Sequence, residues 1–136
     1  MTYLVDANVL SEATKPSPNP AVLEWLKQNE REIAVDPFIL GEIQFGILLL
    51  SAGKRRQRLE RWFREGVARV LCLPLDAATG LRWAKLLAKL RSSGQSMPIK
   101  DSLIAATALL HGLILVTRNV RDFGKAGVKV VDPFSR

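Results

Sequence analysis

The chain has 136 residues, 48% of them hydrophobic, and its 20 Lys and Arg outweigh 13 Asp and Glu for a formal charge of +7. That length and composition fit one domain, residues 1–136, able to bury its own core, and exclude a disordered chain. The lone Cys72 excludes an intramolecular disulfide and a multi-cysteine zinc site, and it suits a reducing cytoplasm.

Polarity arrives at Asp6 before an apolar leader core can form, and the longest apolar run, near 47–50, is far too short to span a bilayer. A cytoplasmic protein with no membrane contact is therefore expected. The positive balance favours polyanionic partners, nucleic acid first.

In chain order, a strand is expected over 2–6, followed by a short helix from Asn8. "KPSPNPAV" reads as a loop into a helix over 20–30, with Asn19 as N-cap and Pro20 at the first helical position. "EIAV" is a short strand. Asp36-Pro37 starts a helix to about Leu50, and a basic helix covers 54–66. "RVLCL" is the next strand. Asp76 caps a helix to Arg91, with Leu81, Trp83, Leu87 and Leu90 as core candidates. "SMPIKD" opens a helix to His111, stopped by Gly112. "LILVT" and "KVVD" are the last strands. Short apolar strands alternating with amphipathic helices predict an α/β/α sandwich around a mainly parallel sheet.

In such folds ligands sit at the carboxyl ends of the strands, where Asp6 and the segment Thr117-Arg118-Asn119 would lie. Most of the other acids fall among basic and polar residues. Glu42 does not: in "PFILGEIQFGILLL", Phe38, Ile39 and Phe45 share its helical face. A carboxylate there must be protonated, paired with a base or bound to a cation, because burying it unpaired costs several kcal/mol. Asp101, one turn into its helix, faces Ile104, Ala105 and Ala108; a first-turn acid favoured by the helix dipole is the plainer explanation. Asn119 and Asp122 have the spacing of a capping box. Thr117, at a strand end, can offer its hydroxyl to a ligand.

Converging carboxylates repel one another unless a cation joins them. All-oxygen donors favour Mg²⁺, or Mn²⁺, over zinc. His111, the only histidine, lies in the last turn of its helix on a polar side with Lys100 and Thr107, and is read as a surface residue.

"YLVDANVLSE", "FILGEIQFGI", "IKDSLIAATALLHGLILVTRNVRDF" and "VKVVDPF", in this order over nearly the whole chain, resemble the PIN-domain family, and more closely the VapC-type ribonuclease toxins of toxin–antitoxin pairs. The resemblance implies a PIN-like three-layer fold and metal-assisted hydrolysis of RNA. It implies Asp6, Glu42 and Asp101 as metal ligands, with Asp122 or Asn119 in the fourth acidic position, and a cognate antitoxin and a homodimer as partners. Position 7 is Ala where relatives often carry Thr or Ser.

The basic run from Lys54 to Arg69, with Trp62 and Phe63 interleaved, and above all Arg118, supply candidate phosphate contacts. A haloacid-dehalogenase-like phosphatase would need a second acid where Asn8 stands. A receiver domain lacks its early acidic pair. An inactive PIN-like binding module is the remaining alternative.

Overall fold

The computed structural model describes residues 2–135; the two ends of the expected 1–136 domain, Met1 and Arg136, lie outside the described residues. Five strands form the sheet: β1 (Tyr3–Val5), β2 (Ile33–Val35), β3 (Leu71–Cys72), β4 (Ile114–Val116) and β5 (Val130–Val131). Their order is β3-β2-β1-β4-β5, and every pairing is parallel. The sequence expectation of a mainly parallel sheet holds in full.

Helices α1 (Ala7–Leu10), α2 (Pro20–Gln28), α3 (Pro37–Leu48), α4 (Lys54–Glu65), α5 (Ala77–Ser92), α6 (Ile99–His111) and α7 (Val120–Gly124) complete the layers, with short 3-10 turns between them. Central strands covered on both faces carry no alternation, and so Leu4, Val5, Ala34, Val35, Leu115 and Val116 are all fully buried. No helix among the described residues is long and apolar enough to cross a membrane.

The helix starts follow from local chemistry. Asn19 accepts from the Ala21 N–H with Pro20 behind it, and Asp36 accepts from the Ile39 N–H with Pro37 behind it. Asp76 and Thr79 form a reciprocal capping box. Gly112, at φ 63°, ends α6 in the left-handed conformation, and the Leu113 N–H reaches back to the Ala108 carbonyl at 2.9 Å. That tight reversal sends β4 straight back along α6. The first turn of α6 and the end of β4 therefore lie at the same end of the molecule.

On α5 the core stripe differs from the expected one. Thr79, Leu86 and Leu90 are buried and Trp83 is partly so, donating its indole N–H to Ser102 Oγ at 2.9 Å. Leu81 is 71% exposed and Leu87 36%. The face that packs on α6 follows the spacing 79-83-86-90, and Leu81 lies about 180° from Leu90 around the helix, at roughly 100° per residue.

Candidate active site

The parallel ladder brings the site together. The Asp6 N–H donates to the Val116 carbonyl at 2.8 Å, and the Thr117 N–H donates to the Val131 carbonyl at 3.0 Å. These bonds carry the sheet one residue past each strand and set Asp6 beside Thr117, on the two sides of the point where strand order reverses.

Asp6 is only 5% exposed. Its Oδ1 accepts from the Ala7 N–H at 2.8 Å, and its Oδ2 accepts from Thr117 Oγ1 at 2.7 Å and Asn8 Nδ2 at 3.3 Å. Burial pushes its carboxyl above the usual range, opposed by the Thr117 and Ala7 hydrogen bonds; Glu42 raises it further and Lys100 lowers it.

Asp101 is half-buried on the first turn of α6 and is also pushed up, first by burial; Lys100 opposes this, while Asp6, Asp122 and Glu42 add to it. The mutual influence of Asp6, Glu42, Asp101 and Asp122 places all four carboxylates in one electrostatic cluster. The Asn119 amide joins two of them, donating to Asp101 Oδ2 at 3.4 Å and Asp122 Oδ2 at 3.2 Å.

Glu42 is not the buried carboxylate that the apolar sequence of α3 predicts. Its side chain is 37% exposed and its Oε2 accepts from Lys100 Nζ at 2.5 Å. The buried stripe of α3 is Ile39, Ile43 and Ile47, while Phe45, Leu48 and Leu49 are exposed. Glu42 borders that stripe and opens toward the cluster.

Thr117 is fully buried and bonds to Asp6, Asn8 and the Asn119 N–H. Its hydroxyl donates to Asp6 Oδ2 and so positions that carboxylate. The capping box expected of Asn119 and Asp122 is absent as well: Asn119 sits at the N-cap of α7 with no side-chain cap bond, because its amide is turned toward the carboxylates. Arg118 is exposed, its guanidinium 4.5 Å from the centre of the Phe134 ring.

Three neighbours escaped sequence reasoning as members of the site. Asn8 bonds to Asp6 and Thr117 and accepts from the Arg118 N–H at 3.1 Å. A polar residue in the otherwise apolar turn "ANVL" was the available signal. Lys100 pairs with Glu42, and in a chain this basic nothing marked it. Asp36 was legible as an N-cap, but it is also fully buried and accepts from Thr107 Oγ1 at 2.9 Å. Thr107 therefore does not share a wet face with His111. Burial raises the Asp36 carboxyl, and Asp6 adds to that shift.

Among the described residues no three His, Cys, Asp or Glu side chains are already drawn around a point where one ion would sit. The donor chemistry nonetheless fits a hard divalent cation: the groups are oxygens, and a positive charge, the Lys100 ammonium, already stands among them and acts on Asp6 and Asp101.

The PIN-domain pattern matches residues 3–129. The chain belongs to the PIN-domain family. It is 36% identical to the VapC ribonuclease Y4jK of Sinorhizobium fredii over 96% of each chain. It is 34% identical to the plasmid stability protein StbB of Pseudomonas syringae pv. tomato, over 96% of this chain and 97% of that one. Among solved structures, FitAB bound to an IR36 DNA fragment superposes with a TM-score of 0.91 at 28% identity, covering 98% of this chain and 96% of its own. The FitAcB crystal structure from Neisseria gonorrhoeae gives 0.89 at the same identity, over 99% and 100%. The five-stranded parallel sheet between helices is the PIN arrangement.

Proposed function

We propose that this chain, as a single PIN domain, is a metal-dependent ribonuclease acting as the toxin of a toxin–antitoxin pair. The observation that carries the reading is the convergence of Asp6, Glu42, Asp101 and Asp122 on one end of a parallel sheet, around a lysine ammonium. Asp6, Glu42 and Asp101 would hold Mg²⁺ or Mn²⁺, with Asp122 assisting once substrate is present. A divalent ion there supplies Lewis acidity toward the scissile phosphate and acidifies a water for attack.

The chain's own residues do the positioning. The Thr117 hydroxyl and the Ala7 N–H fix both oxygens of Asp6 and work against its protonation. Asn119 bridges Asp101 and Asp122 by donating to both. Lys100 offsets charge in the cluster through its ion pair with Glu42 and its influence on Asp6 and Asp101. Arg118, Arg121 and the basic face of α4 offset the acidic site for an RNA backbone.

The VapC and FitAB likenesses support a small cognate antitoxin and a homodimer. The exposed apolar edge of α3, Phe45, Leu48 and Leu49, supports a protein contact. A basic, singly cysteinyl chain fits the cytoplasm. Relatives are named tRNA(fMet)-specific endonuclease in Shigella flexneri and Salmonella typhimurium, at 27% and 23% identity; structured RNA is the substrate class to try first.

The test is partner-free protein incubated with structured RNA in Mg²⁺, Mn²⁺ or EDTA, beside Asp101→Asn. Cleavage that needs the ion and disappears in the variant is expected. RNA left intact by folded protein across many substrates would shift the reading to an inactive PIN-like binding module.

A further inference from the structure

A cavity of about 320 Å³ opens directly beside the carboxylates, between α1, α3 and α4. Asn8 and Glu42 belong both to its wall and to the carboxylate cluster; Ser11, Thr14, Arg55 and Trp62 also line it. Its volume lies at the low end of small-molecule sites, about 300–1,000 Å³, and so it is sized for one nucleotide rather than a longer strand.

The basic residues of α4 divide here into two kinds. Arg56 is engaged, donating to Glu60 Oε1 at 2.7 Å and to the Leu50 carbonyl at 3.3 Å, which ties α4 to the end of α3. Arg55 is exposed, lines the cavity, and has no ion-pair partner among the described residues. Beside the aliphatic wall of Ile43, Ile47, Leu50 and Leu59, the cavity presents the edge of the partly core-packed Trp62 indole, an unpaired guanidinium and two hydroxyl side chains. Proteins that read single-stranded RNA use such groups: bases leave the stack, lie against an aromatic or guanidinium plane, and bond by their edges.

We infer that the cavity bounded by Asn8, Arg55 and Trp62 is a nucleotide subsite that takes one unstacked residue of the RNA beside the scissile phosphate. Arg55 meets the flanking phosphate and Trp62 the base. The inference rests on the ribonuclease reading for its role in cleavage, but the binding site itself does not depend on catalysis. A peptide side chain fits the apolar part of the cavity; the cation and the continuity with the acidic site favour a nucleotide.

Gly46 gives a clean probe. It lines the same cavity, and a Cβ added there meets nothing within 4 Å. Gly46→Leu removes a helix-interior glycine from α3 and fills the cavity, so the variant should fold at least as well as the parent. Two readouts separate binding from chemistry. In full-length protein, the Trp62 indole N–H signal, assigned with Trp62→Phe, is followed by NMR while 2′-O-methyl dinucleotides are added. In parallel, cleavage of RNA is compared with hydrolysis of bis(p-nitrophenyl) phosphate, which has no flanking nucleotide.

The expected result is a saturable shift of the Trp62 signal that disappears in Gly46→Leu. In Gly46→Leu, KM for RNA rises roughly tenfold with turnover of the small diester unchanged; Arg55→Ala should raise KM for RNA likewise. RNA cleavage with no dinucleotide-dependent shift would overturn the subsite and leave the nuclease standing. A shift without any cleavage would keep the subsite as a binding site and remove the nuclease. A signal moved only by a partner protein would make the cavity a peptide site and overturn the proposal.

Discussion

The two ends of one sheet behave in opposite ways. At the amino end, polar groups meet solvent: Thr2 donates to Glu32 at 2.8 Å on the surface, and Gly112 closes an exposed turn. At the carboxyl end, Asp6, Asp36 and Thr117 are buried, and burial raises both carboxyls. The strands are equally apolar, so the asymmetry is not a consequence of the sheet. It concentrates electrostatic cost where an ion would be bound, as active sites do.

The largest break in that contrast is Asp6→Asn. The amide keeps the shape of the side chain and removes its charge. RNA cleavage should fall about a thousandfold or more, ~4 kcal/mol of transition-state stabilisation. Melting in EDTA should stay within a few degrees of the parent or rise, because a desolvated charge is gone. A variant that unfolds, or one that cleaves normally, would remove Asp6 from the proposed role.

Thr117→Val tests the positioning step. It preserves volume and deletes the donor to Asp6. Urea denaturation should show a loss of about 1–3 kcal/mol, typical of a buried polar group left short of a partner. The Mg²⁺ concentration giving half-maximal cleavage should rise about 10–100-fold, as for other residues that orient metal ligands. Thr117→Ser should restore most of both. Equal loss in Val and Ser variants would point to packing instead of the hydrogen bond.

The ion itself sharpens the comparison through pH. Asp6, Asp36 and Asp101 all have raised native carboxyl values, so the folded state holds their protons more tightly than the unfolded chain. Their contribution is present below the unfolded value, about 4, and is lost as pH rises through the native ones. Metal-free protein should therefore lose stability from these groups upward from about pH 4. Mg²⁺ should restore more at pH 7 than at pH 5, ~1–3 kcal/mol at saturating ion. Calorimetric melting at the two pH values checks the sign, and Asp6→Asn, which keeps Asp36 and Asp101, should show a smaller pH dependence than the parent.

Much of the architecture was legible because it is locally encoded. Asn19-Pro20, Asp36-Pro37, Asp76 and Gly112 mark helix ends that hold in the structure. Asp6 was legible as a carboxylate ending an apolar strand, and in the structure it is also the N-cap of α1. The failures are non-local. On α3 nearly every residue is apolar, so periodicity could not tell the buried stripe from exposed Phe45, Leu48 and Leu49, nor show that Glu42 opens outward. Lys100, 58 residues from Glu42, and Thr107, 71 from Asp36, find their partners only through the fold. Asn119 fits a capping box by spacing, but its amide turns instead to the carboxylates of Asp122, in the same turn, and of Asp101, brought in by the fold.

The smallest expected effect lies at the amino end, and it is the control that gives the others meaning. Thr2→Ala removes a surface hydroxyl whose bond to Glu32 competes with water. Melting should move by no more than about 2 °C, as for ordinary surface substitutions, with RNA cleavage unchanged. If Thr2→Ala lowered cleavage as far as Thr117→Val, activity would be tracking general stability. The contrast between the ends would then reflect how tightly the sheet is held, and the buried carboxylates would lose their claim to the chemistry.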